Sequence, residues 1–448
     1  MMRSLTRVLL AGSIAAAGAA VPAGAHPAIR SDAVSAWNAN AGDAAIAACL
    51  APSNDPLHES RLYAVMHIAI HDALNAIERR SRPYAFVTRQ PLPDASPDAA
   101  VAAAAHGVLI PMLEQLPAPF SDCAPASIAG VEDDYAAALA TIPDGRARQQ
   151  GVQLGRAAAA LILALRTGDG ADTPLFDTDY PQGTAPGEYR FTPGFSFAFA
   201  PGWADVTPFA LRDSSQFRAD PPYQVTSRRY AADFAEVKRL GGDGVTTPSE
   251  RTAEQTQIAR FWVESAPLQW NRIARNVSTR SKLDPWAQAR LLGLLNMALS
   301  DGYIGSFETK YLYNYWRPVT AIREAGTDGN PNTAADPTWT PLVPTPPVPD
   351  HDSAHAVEGG AAAEVLRRFF HTDRIAFRTC SLALPAGSTC TDPSPVTRRY
   401  DRFSEAADEN GLSRILVGFH FRNAVEDGID HGRRIGGYTV ERFLRPAR

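Results

Sequence analysis

Four things are scarce in this chain: positive charge, long apolar runs, strand-like alternation and cysteine. Lys and Arg number 43 against 48 Asp and Glu, a net charge of −5. That leaves no basic surplus for a nucleic-acid backbone. After the N-terminus, no segment carries the roughly 20 apolar residues that cross a bilayer, so stable membrane insertion is not expected. Strict apolar–polar alternation is rare, while Ala-rich stretches with helical spacing dominate, so the expected class is all-α. None of the four cysteines lies in a CxxC or Cys/His spacing that would suggest zinc or an iron–sulfur cluster. No internal repeat appears. What remains is a chain of 448 residues, 45% hydrophobic and 20% charged. It is an ordinary globular composition, long enough for two bundles or domains.

Residues Met1 to about Ala25 have the make-up of a secretory signal. Arg3 and Arg7 charge its start, Val8–Ala20 is a short apolar stretch, and Ala23-Gly24-Ala25 fits a small-x-small cleavage site. A mature protein secreted or periplasmic after cleavage near Ala25 is therefore expected. The cysteines suit that compartment. Cys380 and Cys390 flank a Pro/Gly/Ser/Thr loop that a disulfide would close; Cys49 and Cys123 are either a second pair or buried thiols.

The expected organisation is a signal over 1–25, an N-terminal helical region over 26–222, and a C-terminal helical bundle over 223–448. Helical spacing marks Arg61–Arg79, Ala99–Leu116, Arg146–Thr167, Val225–Leu240, Arg251–Glu264, Lys282–Ile322, Ser353–Phe370, Phe403–Phe421 and Glu426–Leu444. Pro318 is expected to kink or end the long Lys282–Ile322 pattern. Gly168–Tyr223 is rich in Pro, Gly and aromatics and lacks period. It either divides two helical halves or folds over a site.

Three blocks in the second half suit a tetrahedral oxyanion. In KYLYNYWRP, Lys310 and Arg317 are seven apart, which places them on one face of a helix. Arg supplies a planar fork for oxyanion oxygens and Lys a mobile point charge. In PDHDSAH, Ser353 and the Ala354 N–H stand at an expected helix start, where free N–H groups and the helix dipole attract anions. His355 beside them can exchange a proton near neutral pH. In SRILVGFH, Arg414 can reach a ligand held by His420, whose neutral nitrogen can bind a metal centre or attack phosphorus. Each block alone has a plain structural reading: a solvated basic face, a helix cap, a core histidine.

The order Lys-x6-Arg-Pro, Ser-x-His, Ser-Arg-x5-His resembles the vanadium-dependent haloperoxidase and type 2 phosphatidic acid phosphatase superfamily. YNYWRPVTAIR, ERTAEQTQIARFW, WNRIAR and RLYAVMHIAIHDALNAI are similar to its bacterial haloperoxidase branch, so the likeness spans about residues 55–436. The resemblance implies two packed four-helix bundles with the active site in the C-terminal one. It implies vanadate as cofactor, with His420 as vanadium ligand. Lys310, Arg317, Arg414, Ser353 and the Ala354 N–H would hold the oxyanion oxygens, His355 would be the acid–base, and Lys310 would polarise the oxidant. The implied reaction is oxidation of halide by hydrogen peroxide to hypohalous acid, which halogenates an organic acceptor. A secreted acid phosphatase with a phosphohistidine at His420 is the alternative reading, and a non-catalytic helical binding protein the third.

Several positions depart from the family pattern. Pro-Ser-Gly-His is here Asp352-Ser353-Ala354-His355, and Asp352 brings a negative charge beside an anion site. The family's Asp four residues after the last histidine is here Ala424, leaving Asn423, Glu426 and Asp427 as candidate substitutes to orient the imidazole. The position tied to halide preference is Val348, which assigns no halide. His67, His71 and Asp72 could suggest a second metal site, but their apolar helical setting favours a structural role.

Overall fold

Prolines and short polar caps set where the helices begin. The structure, a computed structural model, describes residues 33–447; the signal-like segment Met1–Ala25 lies outside the described residues. They hold thirteen α-helices and four strands of two or three residues. The first group is α1 (Ala33–Ala47), α2 (Pro56–Ile77), α3 (Pro97–Glu114), α4 (Ala124–Ala140) and α5 (Arg146–Leu165). Pro56 and Pro97 open α2 and α3 at positions where a missing N–H costs nothing. Asp55 caps α2 by accepting from the N–H groups of Leu57 and His58, both at 3.1 Å.

The second group is α6 (Arg228–Leu240), α7 (Ala253–Phe261), α8 (Ala266–Arg280), α9 (Pro285–Tyr313), α10 (Pro318–Glu324), α11 (Ala354–Phe370), α12 (Phe403–Leu416) and α13 (Arg422–Arg442). Helix α9, 29 residues long, touches both groups, packing on α2 and on α11 and α13. The all-α class expected from the sequence is the observed one. Helices α1, α4 and α8 carry no pattern that the sequence reading separated. The alanine richness has a packing purpose. Gly155 of α5 and Gly432 of α13 leave no room for a Cβ against the Ala100 and Val357 carbonyls, so α5 approaches α3, and α13 approaches α11, at backbone contact.

Among the described residues, no helix is long and apolar enough to cross a membrane. Both cysteine pairs are joined, Cys49–Cys123 and Cys380–Cys390. The Pro- and aromatic-rich segment is mostly irregular, with one two-residue hairpin of β1 (Phe176–Asp177) and β2 (Ala198–Phe199). It lies against the second group. The Tyr189 N–H donates to Asn314 O at 2.8 Å, Phe199 N–H to Pro347 O at 2.8 Å, and Trp316 N–H to Gly187 O at 2.9 Å. It thus braces the α9–α10 turn and the loop before α11.

Candidate oxyanion site

The site lies where three chain breaks meet. Helix α9 stops at Tyr313 because Asn314 takes the left-handed conformation, φ 46°, and its N–H donates back to Lys310 O. Pro318 then keeps Arg317 extended, as the N-cap of α10. This corrects one expectation: Lys310 and Arg317 do not share a helix face. Lys310 sits in the last turn of α9 and Arg317 beyond the break. Gly418, at φ 87°, ends the run after α12 and turns the chain back. The N–H groups of Phe419 and His420 then both reach Arg414 O, at 3.0 and 3.2 Å.

The cations are buried, and each is held by backbone. Lys310 Nζ donates to the carbonyls of Pro349 and Asp350, both at 3.0 Å, and to that of Asp352. Arg317 Nε donates to Val348 O at 2.7 Å and its Nη1 to Phe419 O at 3.0 Å. Arg414 Nη1 donates to Trp262 O at 2.8 Å. Burial pushes the Lys310 ammonium down to about 7, and Arg317 pushes the same way. Burial likewise drives Arg414 down to about 9, again with Arg317 adding to it. The cluster holds more positive charge than its acids balance, the state an incoming anion would relieve.

Two donors stand ready. Ser353 is the N-cap of α11, yet its hydroxyl makes no capping bond and is buried without a partner, as is Arg414 Nε. The capping role weighed for Ser353 is therefore not what the side chain does. Ala354 is the first residue of α11, so its N–H has no intrahelical acceptor.

Partners fix the histidine tautomers. Arg317 Nη1 lies 2.8 Å from His420 Nε2. A guanidinium only donates, so Nε2 is the acceptor and, in the neutral ring, Nδ1 carries the proton. The ring is neutral because burial, followed by Arg317, Lys310, Arg414 and His355, holds its pKa well below the ordinary value. His355 Nε2 lies 3.2 Å from Glu264 O. A carbonyl only accepts, so this ring keeps its proton on Nε2 and leaves Nδ1 basic. Burial and then Arg414 hold His355 well below its ordinary pKa too.

Asp352 does not face the cations with its carboxylate. Oδ2 is 2.8 Å from His431 Nδ1, and Oδ1 accepts from Ser306 at 2.7 Å. The charge expected to oppose an anion is absorbed inside the fold. Val348 is buried and presents its carbonyl, not its side chain, to Arg317. The substitutes weighed for Ala424 are occupied elsewhere. Asn423 Nδ2 donates to Asp427 at 2.6 Å, and Glu426 lies 3.6 Å from Arg422. Instead Asp350, which sequence reasoning missed, brings Oδ1 to 3.0 Å from His420 Nδ1. Burial pushes its carboxyl up to about 7, against the pull of Arg317 and Lys310.

The histidines of α2 are structural. His71 contacts Asp72 at 2.9 Å and Ser81 at 2.7 Å, and Asp72 accepts from the N–H groups of Tyr84, Ala85 and Phe86. His67 Nε2 is 2.6 Å from Asn38, and burial lowers its pKa to about 3. Neither group of side chains gathers into a metal site among the described residues.

This helical architecture is similar to that of vanadium haloperoxidases. Residues 290–448, which hold all three blocks, match the family described as the VCPO second helical-bundle domain. The chain is similar to a vanadium chloroperoxidase of Curvularia inaequalis, 25% identical over 468 residues, covering 83% of this chain and 75% of that protein. Its fold resembles a bacterial vanadium-dependent iodoperoxidase, with TM-score 0.73, 22% identity, and 93% of this chain and 97% of that one covered. It also resembles a holo-type bacterial vanadium-dependent chloroperoxidase, with TM-score 0.70, 19% identity, and 90% and 95% covered. Residues 290–448 thus match that family's second helical-bundle domain, and the fold of the whole chain is similar to those of vanadium haloperoxidases.

Proposed function

We propose that the protein is a vanadate-dependent haloperoxidase that uses hydrogen peroxide to oxidise a halide to hypohalous acid. One observation carries the reading: three buried cations and two partnerless buried donors gather with a neutral histidine whose unprotonated Nε2 is held by the Arg317 guanidinium, a donor that an oxyanion can draw away. That donor set fits vanadate. When bound, vanadate supplies a Lewis-acidic centre that activates peroxide for halide attack.

The chain's own part is positioning and proton handling. His420 Nε2 is the ligand atom. Arg317, Arg414, Ser353 Oγ and the Ala354 N–H hold the oxyanion oxygens. Lys310 joins them by exchanging one of its three carbonyl acceptors for an oxyanion oxygen. His355, neutral and unprotonated at Nδ1, would take a proton from incoming peroxide. A neutral His355 suits that step better than the donation a phosphatase leaving group needs. The signal-like composition of residues 1–25 and the two disulfides support a secreted or periplasmic location.

The test is a calorimetric titration of the purified chain with orthovanadate. One site per chain that vanishes in His420→Ala supports the proposal. No vanadate site, together with phosphomonoester hydrolysis that needs His420, would replace it with the phosphatase reading.

A further inference from the structure

The position from which the family's carboxylate orients the ligand histidine is Ala424, a buried methyl. A carboxylate nevertheless reaches the same imidazole from another part of the chain. Asp350 Oδ1 stands 3.0 Å from His420 Nδ1, and Asp350 lies in the loop before α11, not in the block that carries His420. Its backbone is fixed on both sides. The Asp350 N–H donates to Tyr315 O at 2.8 Å, and its carbonyl accepts from Lys310 Nζ at 3.0 Å. The loop therefore cannot drift from the α9–α10 break without breaking both bonds.

We propose that Asp350 is the positioning residue for His420, holding the proton on Nδ1 and the lone pair on Nε2 toward the oxyanion. Two contacts support the same tautomer from opposite edges of the ring: the guanidinium of Arg317 at Nε2 and the carboxylate of Asp350 at Nδ1. Arg317 Nη1 also leans to 3.4 Å from Nδ1, and the Asp350 carboxylate, which the Phe421 N–H also favours, makes no aligned hydrogen bond to the ring. An oxyanion that draws the guanidinium to itself leaves the ring free to align with Asp350. A carboxylate accepting the distal N–H of a ligand histidine fixes the ring and raises the basicity of its ligating nitrogen. The neighbouring acids are engaged elsewhere: Asp352 is taken by His431 and Ser306, and Asp427 by Asn423.

This inference rests on the haloperoxidase reading for the identity of the oxyanion, and its test separates the two. Asp350→Asn is compared with wild type by calorimetric titration with orthovanadate and with inorganic phosphate. Removing a negative charge from an anion cage should tighten both anions if electrostatics alone operates. Loss of a positioning carboxylate should instead weaken vanadate, which the imidazole ligates, by ten- to a hundred-fold, and leave phosphate unchanged or tighter. Parallel changes in the two anions, or unchanged vanadate affinity, overturn the proposal. A second reading comes from nitrogen NMR of 15N-histidine-labelled wild type and Asp350→Asn, with His420 assigned from His420→Ala. An Nδ1–H tautomer in wild type that is lost or mixed in Asp350→Asn supports the assignment; an Nε2–H tautomer in wild type, or the same tautomer in both, overturns it. A wild type that binds phosphate but no vanadate would sink the functional reading, while the tautomer would still decide the role of Asp350.

Discussion

Replacing Ser353 by alanine should move stability and ligand binding in opposite directions. At an ordinary helix N-cap, Ser→Ala costs about 1 kcal/mol because a hydroxyl that satisfies an N–H is lost. Ser353 makes no such bond, and its hydroxyl is buried without a partner. Removing a buried, unsatisfied polar group relieves about 1–3 kcal/mol of desolvation, so the unliganded variant should match or exceed wild type in urea denaturation. The same hydroxyl would donate to a charged oxyanion oxygen, a bond of about 1.5–3 kcal/mol. Its loss should weaken orthovanadate and phosphate by roughly 10- to 150-fold. Titration of folded wild type and Ser353→Ala with each anion measures that term. A variant that loses about 1 kcal/mol of stability and binds both anions as before would refute the reasoning, because Ser353 would then be a cap and nothing more.

Three further outcomes follow from the same geometry. With Lys310 held near 7 by burial and Arg317, its charge is present below that pH and lost above it. Phosphate affinity in wild type should thus fall relative to Lys310→Arg as pH rises from 7, by up to tenfold per unit; a constant ratio would exclude Lys310 from the anion site. His431→Ala strands the buried Asp352 carboxylate and should cost about 3–5 kcal/mol in urea denaturation. In wild type, Asp352 has its pKa depressed, with the His431 hydrogen bond the largest lowering influence against burial. Its contribution is present above the ordinary carboxylate pKa and lost as pH falls through the depressed value, so acid unfolding should begin at higher pH when Ser306→Ala removes its other partner.

The three blocks were legible in sequence because each places its chemistry on a few contiguous residues. Ser353, His355, Arg414 and His420 needed only helix ends to bring them together. The shared helix face for Lys310 and Arg317 was misread because seven residues equal two turns only when the helix continues. Asn314 and Pro318 end it, and the break is what lets both side chains reach the loop before α11. Asp350 is not legible from spacing within the third block, because its contact with His420 joins positions 70 apart. Asp352 looked harmful because its partner, His431, lies 79 residues away. The Glu264 carbonyl that sets the His355 tautomer was beyond reach altogether, since a backbone acceptor leaves no mark in residue type. Helix α1 is illegible for a related reason: an alanine-rich segment buried on several sides carries weak periodicity.

The most direct test of the central claim is bromide oxidation by hydrogen peroxide. The purified chain is assayed with and without added orthovanadate, with inorganic phosphate as competitor and His420→Ala as control. The account predicts oxidation that requires vanadate, is suppressed by phosphate and is absent in the variant. No vanadate-dependent oxidation, alongside hydrolysis of a phosphomonoester that vanadate inhibits, would contradict it.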